Sequence, residues 1–475
     1  MQSQVMPIER RVPTRRLRLA RIAWTKLREQ ATRRAATPFE LIEDEPENPT
    51  TYRAMDLALR VGELLLASGE ATESVNEAMR SLAVAYGLPR AEATVTFTSI
   101  TISCIPGNGA APITGERVVR RRVPDYSRLV ATHKLVEDAA LGLLELDEAF
   151  ERLRAIKSSP ARYPSWLLAI SLPLLAASAS VLSGGGAVVA GIAFLATLLS
   201  ERTTVFLARR GVAEFYQFTA AAMIGSAFAV GVVAAGVALP ASAVVTGAIM
   251  ALLPGRPLVA SVQDGISGAY VSSAARLLEV FYIGTAIVCG VGLTVYLAGR
   301  LGIAMPVGET PYTAMSAAPA KLLGAIGIAV TFAISLVAPV RAVITSAVGG
   351  GLIWVVYVLL RNHDVATVMA SGIAAVLVGL GAHLVARAFR SPSLPYVVPV
   401  IGPLLPGTLL YRGLAELNLG EVNQGLFSLS QAIGVALALA IGISVGGELV
   451  RTLRSNGMVR ISPAHRPAAR RTRGY

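Results

Sequence analysis

The sequence predicts a predominantly α-helical polytopic membrane protein: about ten transmembrane helices preceded by a small N-terminal soluble α+β domain. Hydrophobic residues make up 53% of the 475 positions and charged residues only 15%, whereas soluble domains carry about 25% charged residues. Residues 1–164 hold 45 charges, but the longer region 165–450 holds only 21. Long apolar stretches recur in that second region, and a helix needs about 20 apolar residues to span a bilayer. This composition argues against a soluble enzyme and excludes a disordered chain.

Charge and hydropathy divide the chain into six segments. We expect no signal peptide, because the arginine-rich first 34 residues lack a continuous apolar core. The segments are 1–50, basic and either amphipathic or disordered, ending in an acidic linker; 51–164, a cytoplasmic α+β domain; 165–300, a first five-helix repeat; 301–316, an extracytoplasmic linker; 317–450, a second five-helix repeat; and 451–475, a basic cytoplasmic tail. The net charge of +13 lies largely at the two ends. Nucleic-acid motifs are missing, so we expect no nucleic-acid partner.

The soluble domain is predicted from periodicity. Helical patterns cover 53–68, 72–86, 126–144 and 147–158, and alternating residues from Ala93 to Cys104 indicate β-structure. The alternation slips near Ser99, which indicates a bulge or a short turn, and a further strand is predicted at 117–123. The polar run 68–74 favours a helix cap and turn, with a regulatory or hydrolytic pocket as the alternative. His133 is expected on an ordinary helix surface.

Catalytic and metal sites are not predicted. The sequence has no Gly-x-Ser-x-Gly, P-loop or His-Glu-x-x-His motif. Its two cysteines and four histidines lack the spacing of metal ligands. We therefore expect no catalytic residues, no metal and no cofactor.

Ten crossings are predicted, and the bias of basic residues places both termini in the cytoplasm. The shortest apolar stretches are the fourth and the ninth, and each ends at a Pro-Gly. The predicted crossings are 165–182, 186–200, 215–238, 241–253 with a continuation, 274–298, 317–339, 343–360, 365–386, 395–417 and 425–449.

An internal repeat is visible at an offset of 152 residues. Leu-Leu-Pro-Gly occurs at 252–255 and again at 404–407, and the carboxylates Asp264 and Glu416 follow at equal distances. Because five crossings are an odd number, the second half enters the membrane from the opposite side, as in secondary transporters with inverted repeats. The breaks at Pro254 and Gly255 and at Pro406 and Gly407 are then expected to line the substrate site.

Asp264 and Glu416 are carboxylates that are energetically unfavourable inside a membrane when they are ionised. An ionised group within a bilayer normally faces a cavity or a partner, and Arg276 and Arg412 are the candidate partners. Asp264 lies about 15 Å along a helix from its own break, and we consider that inversion brings it towards the opposite break. The alternative is that both acids lie at interfaces and extend towards water.

Three stretches of the chain resemble the threonine/serine exporter family of bacterial inner membranes. They are Leu64–Met79 with its Ser-Gly-Glu-Ala-Thr-Glu-Ser run, Leu252–Gly268 followed by Ala275–Glu279, and Val400–Leu414. The resemblance covers about residues 53–450 and includes the family's layout of a soluble domain before ten helices. It implies export of L-threonine and L-serine from the cytoplasm, driven by the proton motive force.

Together with the inverted repeat, this resemblance implies a secondary active exporter of small hydroxylated amino acids, an antiporter with protons, in a bacterial plasma membrane. Backbone opened at Pro254, Gly255, Pro406 and Gly407 would form the site. Asp264 and Glu416 would carry protons or bind the substrate ammonium, and Arg276 and Arg412 would keep them ionised; these four complete the predicted site. A membrane-embedded hydrolase that uses the soluble domain and a passive channel are the alternatives, and the oligomeric state stays open.

Overall fold

The computed structural model describes residues 49–88, 90–105, 111–119, 124–237, 239–303, 319–418 and 420–455. Three predictions therefore lie largely outside the described residues. These are the basic N-terminal segment with its acidic linker, most of the linker 301–316, and the basic tail beyond 455.

The described residues before the first membrane helix, from 49 to 164, are called the soluble region here. They form a small α+β unit, as predicted. It contains α1 (Pro49–Ala67), α2 (Thr72–Ala85), β1 (Glu92–Val95), β2 (Ser99–Cys104), β3 (Ile113–Val118), α3 (Tyr126–Ala140) and α4 (Leu146–Ser158). The strands form one antiparallel sheet in the order β1-β2-β3. Its core is built from fully buried apolar side chains on the helices and on β2, including Leu57, Leu65, Ile100, Ile102 and Leu129.

Two details of the sheet bear on the sequence analysis. The slip near Ser99 is a short turn, in which the Thr96 N–H donates to the Ser99 carbonyl at 2.8 Å. The third strand, predicted at 117–123, instead begins at Ile113 and ends at Val118. The predicted start was four residues too late, and residues 120–123 of that prediction lie outside the described residues. Pairing decides the position, because β2 has six residues and its register pairs Cys104 with Ile113 and Ser99 with Val118.

The membrane part follows, and seven of its described helices are long and apolar enough to cross a membrane. The seven are α5 (Ser165–Leu182), α6 (Ala187–Arg209), α7 (Glu214–Ala234), α10 (Tyr270–Arg300), α12 (Val340–Asn362), α13 (Thr367–Ala388) and α16 (Val422–Ser455). The protein is therefore a multi-pass membrane protein.

Of the other three predicted crossings, one is a single shorter helix and two are divided into several short elements. α11 (Pro319–Ser335) has 17 residues, which gives about 25 Å of helix. The fourth predicted crossing is divided into α8 (Ala241–Met250) and α9 (Gly255–Ile266). The ninth is divided into α14 (Leu394–Val397), a 3-10 turn (Gly402–Leu404) and α15 (Gly407–Asn418). Pro254 directly precedes α9 and Pro406 directly precedes α15, where proline lacks the N–H that would continue a helix from the preceding turn.

The first run of helices, α5 to α10, and the second run, α11 to α16, pack in corresponding ways. α7 packs against α10, and α13 packs against α16. A Cβ added at Gly290 would lie 2.5 Å from the Thr219 carbonyl, and one added at Gly442 would lie 2.5 Å from the Gly372 carbonyl. The two glycines are 152 residues apart, which is the repeat offset, and their partner carbonyls are 153 residues apart. A similar close backbone contact therefore occurs in both sets of helices. Between the runs, α5 packs against α11.

The soluble region contacts the loop between α11 and α12. The Tyr126 N–H donates to the Leu336 carbonyl and the Ser127 N–H to the Val337 carbonyl, both at 3.0 Å. The Tyr163 hydroxyl donates to the Ala338 carbonyl at 2.7 Å. Burial raises the pKa of the Tyr163 phenol above its ordinary value, with Arg162 opposing the rise, so the phenol stays a hydrogen-bond donor.

Candidate functional site

Asp264 lies near the end of α9 and is fully buried. Its Oδ1 accepts hydrogen bonds from the Thr72 N–H at 2.9 Å and from the Thr72 Oγ1 hydroxyl at 3.0 Å. Its Oδ2 accepts one from Arg276 Nε at 2.8 Å. Both carboxylate oxygens are thus occupied, one by the soluble region and one by α10.

Arg276 of α10 contacts both Asp264 and the soluble region. Its side chain is buried, and its second guanidinium nitrogen donates to the Glu70 carbonyl at 3.1 Å. The guanidinium also lies over the Phe97 ring, 5.6 Å from its centroid. A buried ion pair of this kind is satisfied only when further hydrogen bonds occupy the remaining donors and acceptors. Here Thr72 and Glu70 of the soluble region provide further hydrogen bonds, and Phe97 adds the cation–π contact.

Asp264 also caps α2. The first turn of a helix has free N–H groups, which a Ser, Thr, Asp or Asn side chain at the N-cap usually satisfies. The N-cap residue of α2 is Ala71, which has no side-chain acceptor. The turn predicted for the run 68–74 is present, with Gly69 at a φ of +94°. The acceptor, however, comes from a residue 192 positions away.

A second polar pair lies beside this contact. The buried carboxylate of Glu70 is 3.0 Å from Nε2 of the half-buried His133. The prediction that His133 lies on an ordinary helix surface was wrong. The sequence did contain the signal, because Leu129 and Val136 are buried on α3 and the helical repeat places His133 on the same side.

Glu416 occupies the corresponding position in the second run of helices. Its Oε1 accepts from Arg412 Nε at 2.6 Å, and its Oε2 accepts from the Ser428 hydroxyl at 2.6 Å. Glu416 is buried, whereas the Arg412 side chain is half exposed. Ser428 was not among the predicted site residues. The repeat offset relates it to Arg276, since each follows its carboxylate by 12 residues.

The two helix breaks contact each other. A Cβ added at Gly255 would lie 3.2 Å from a methyl carbon of Leu405, and one added at Gly407 would lie 3.7 Å from a methyl carbon of Leu253. The repeat offset relates Gly255 to Gly407 and Leu253 to Leu405. The contact is therefore reciprocal, with each break packed against the residues before the other.

The carboxylates are not at these breaks. Asp264 is nine residues beyond Gly255, which is about 14 Å along α9. The hypothesis that Asp264 reaches the opposite break was wrong, because its carboxylate partners are Thr72 and Arg276. Helix geometry is the reason: α9 carries Asp264 away from the point where the breaks meet. Among the described residues, no group of three His, Cys, Asp or Glu side chains could hold a metal ion.

Comparison with known proteins identifies the family. A model described as a putative threonine/serine exporter matches residues 56–298, and one described as a threonine/serine exporter matches residues 321–447. The chain belongs to the threonine/serine exporter family. The family's name describes a transporter rather than an enzyme, which removes the membrane-embedded hydrolase as an alternative.

Two relatives support the family membership. A probable threonine/serine exporter of Mycobacterium tuberculosis is 30% identical over 411 residues, which cover 85% of this chain and 78% of the relative. A threonine/serine exporter of Corynebacterium glutamicum is 30% identical over 416 residues, which cover 84% of this chain and 83% of the relative. No solved structure matches this chain significantly.

Proposed function

We propose that this protein exports threonine and serine across the bacterial inner membrane by alternating access between two inverted halves, residues 165–300 and 317–450. The family membership supports the substrates. The observation that carries the mechanism is the reciprocal contact of the two breaks, Gly255 with Leu405 and Gly407 with Leu253. Such a contact is what a pseudo-two-fold axis between the halves requires.

The packing of the helices supports the repeat. Each half has five segments, of which the fourth is broken, and the same glycine contact recurs at Gly290 and Gly442. Because five is odd, two halves of equal structure have opposite orientations in the membrane. The bias of basic residues then gives cytoplasmic termini, with the soluble region on the cytoplasmic side.

The substrate site in this proposal lies where the breaks meet. A free amino acid carries a carboxylate and an ammonium group, and both need partners when they leave water. α9 begins at Gly255 and α15 begins at Gly407, so the positive ends of two helix dipoles are available to the substrate carboxylate. Carbonyl groups freed at the breaks are available to the ammonium.

Asp264 and Glu416 serve as gates at opposite ends rather than as ligands of the substrate. The Asp264–Arg276 pair closes the cytoplasmic end beneath the soluble region. The soluble region contacts the first half at Asp264 and the second half at Val337. It therefore holds both halves together at one end, which fits a state closed to the cytoplasm. Glu416 closes the outer end with Arg412 and Ser428.

Proton coupling follows from the chemistry of the cytoplasmic gate. A proton that reaches Asp264 from outside neutralises the carboxylate, so Arg276 loses its ionic partner and α2 loses the charge at its N-terminus. The gate then opens, the proton leaves to the cytoplasm, and the substrate enters from the cytoplasm. The restored charge on Asp264 closes the gate behind the substrate.

Uptake into inside-out vesicles tests the proposal. We expect a pH gradient, acidic in the vesicle lumen, to drive uptake of radiolabelled threonine and serine, and unlabelled threonine to accelerate counterflow in proteoliposomes. Valine, which has the shape of threonine without the hydroxyl, is the matched control substrate. If the rate of uptake does not depend on the pH gradient, proton coupling is contradicted. The absence of counterflow favours the passive channel.

A further inference from the structure

A crevice of about 380 Å³ lies where the soluble region meets the second half of the membrane part. Val130 of α3 and Arg162 of the link before α5 form one side. Val340 and Arg341 at the start of α12 form another, and Phe389 and Tyr396 after α13 close it; these are six of its eight lining residues.

The crevice is positively charged. Arg162 and Arg341 line it, and none of the eight lining residues is acidic. Within the part of the chain that the structure describes, neither arginine forms an ion pair with a carboxylate. The Arg341 guanidinium lies over the Phe389 ring, 5.2 Å from its centroid, which orients it while its hydrogen-bond donors stay available.

The crevice lies at a boundary of the membrane. α5 begins at Ser165, α12 begins at Val340 and α13 ends at Ala388, so three membrane helices terminate around it. Trp166 is 63% exposed on the first turn of α5. Exposed tryptophan is typical of the level at which lipid headgroups lie.

An apolar stripe leads from the crevice along α12. Val340, Ile344, Val348 and Leu352 follow each other at intervals of one helical turn, and each is at least half exposed. Such a stripe on a membrane helix faces acyl chains. The crevice and the stripe together match the two parts of a phospholipid, an anionic head and apolar chains.

We infer that this crevice binds the phosphate headgroup of an anionic phospholipid between Arg162 and Arg341, with an acyl chain along the stripe on α12. A zwitterionic lipid fits poorly, because its ammonium group faces two arginines. The lipid contacts both the soluble region and the second half, so it stabilises the docked soluble region. The inference needs only the membrane location and does not depend on the substrate that is exported.

Thermal unfolding of the purified full-length protein tests the inference. We expect phosphatidylglycerol to raise the Tm, and phosphatidylcholine, inorganic phosphate and glycerol 3-phosphate at equal concentration to leave it unchanged. In Arg162→Gln/Arg341→Gln, the apparent affinity for phosphatidylglycerol should fall about 30-fold, because each basic residue near an anionic lipid contributes about fivefold.

Arg209→Gln/Arg210→Gln is the matched control, because Arg210 also lies over an aromatic ring, that of Phe206, but does not line the crevice. This variant should keep the full response. An equal Tm rise with phosphatidylcholine, or a full response in Arg162→Gln/Arg341→Gln, overturns the inference. A Tm rise with free phosphate shows a site for soluble anions and overturns the assignment to a lipid.

Discussion

Asp264 illustrates how a single carboxylate connects two parts of this molecule. Its two oxygens accept three hydrogen bonds, two from Thr72 and one from Arg276. Removing one partner of a buried ion pair is destabilising by about 3–5 kcal/mol, because the other charge stays buried without compensation. The residue is therefore sensitive to substitution.

Asp264→Asn tests the role of this charge. Asparagine keeps the shape of the side chain but leaves the buried Arg276 without an ionic partner. We expect the protein to reach the membrane and to lose the part of threonine uptake into inside-out vesicles that depends on the pH gradient. Glu448→Gln is the control, since Glu448 is an exposed carboxylate that pairs with Arg451. Unchanged pH dependence of transport in Asp264→Asn removes Asp264 from proton coupling.

At the scale of the helices, the sequence was informative wherever a pattern is local. The apolar run 343–360 predicted α12 to within three residues, and the two Leu-Leu-Pro-Gly stretches predicted both breaks. Arg276 was named as the candidate partner of Asp264, and the structure confirms that pair. The second partner, Thr72, was not predictable, because no local pattern relates Asp264 to a threonine 192 positions away. A cap and turn were predicted within the run 68–74, but Asp264 was not predicted as the acceptor for α2, since this acceptor comes from tertiary packing.

The equivalence of α10 and α16 leads to a prediction about their glycines. Alanine at Gly290 or at Gly442 places a Cβ 2.5 Å from a backbone carbonyl oxygen of the neighbouring helix. Because backbone cannot move as a flexible side chain does, we expect each substitution to destabilise the fold by about 1–3 kcal/mol.

Gly231→Ala is the control for this pair, because no atom lies within 4 Å of a Cβ at that position of α7. It should be neutral or slightly stabilising, since alanine favours a helix by about 1 kcal/mol over glycine. The check is the Tm of the three purified variants. A Tm of Gly442→Ala equal to that of Gly231→Ala contradicts the close packing of α13 against α16.

At the scale of the whole molecule, the described contacts between the soluble region and the membrane part come from residues 70–163. They include Glu70, Thr72, Ser127 and Tyr163. We expect deletion of residues 1–50 to weaken binding to the membrane surface or regulation without stopping threonine export. Export assays on the inserted deletion variant check this, and complete loss of transport makes the segment part of the translocation machinery.

Opening of the cytoplasmic gate predicts that Thr72 becomes accessible during transport. Thr72 is almost fully buried against Asp264, whereas Val84, at the other end of α2, is 59% exposed. In a background with Cys104→Ser and Cys289→Ser, Thr72→Cys should react slowly with a membrane-impermeant thiol reagent in inside-out vesicles at rest. Threonine together with a pH gradient should accelerate the reaction severalfold, because each cycle separates α2 from Asp264.

Val84→Cys should react rapidly under both conditions. Equal rates for Thr72→Cys at rest and during transport mean that the soluble region stays docked throughout the cycle, and the gate then lies elsewhere.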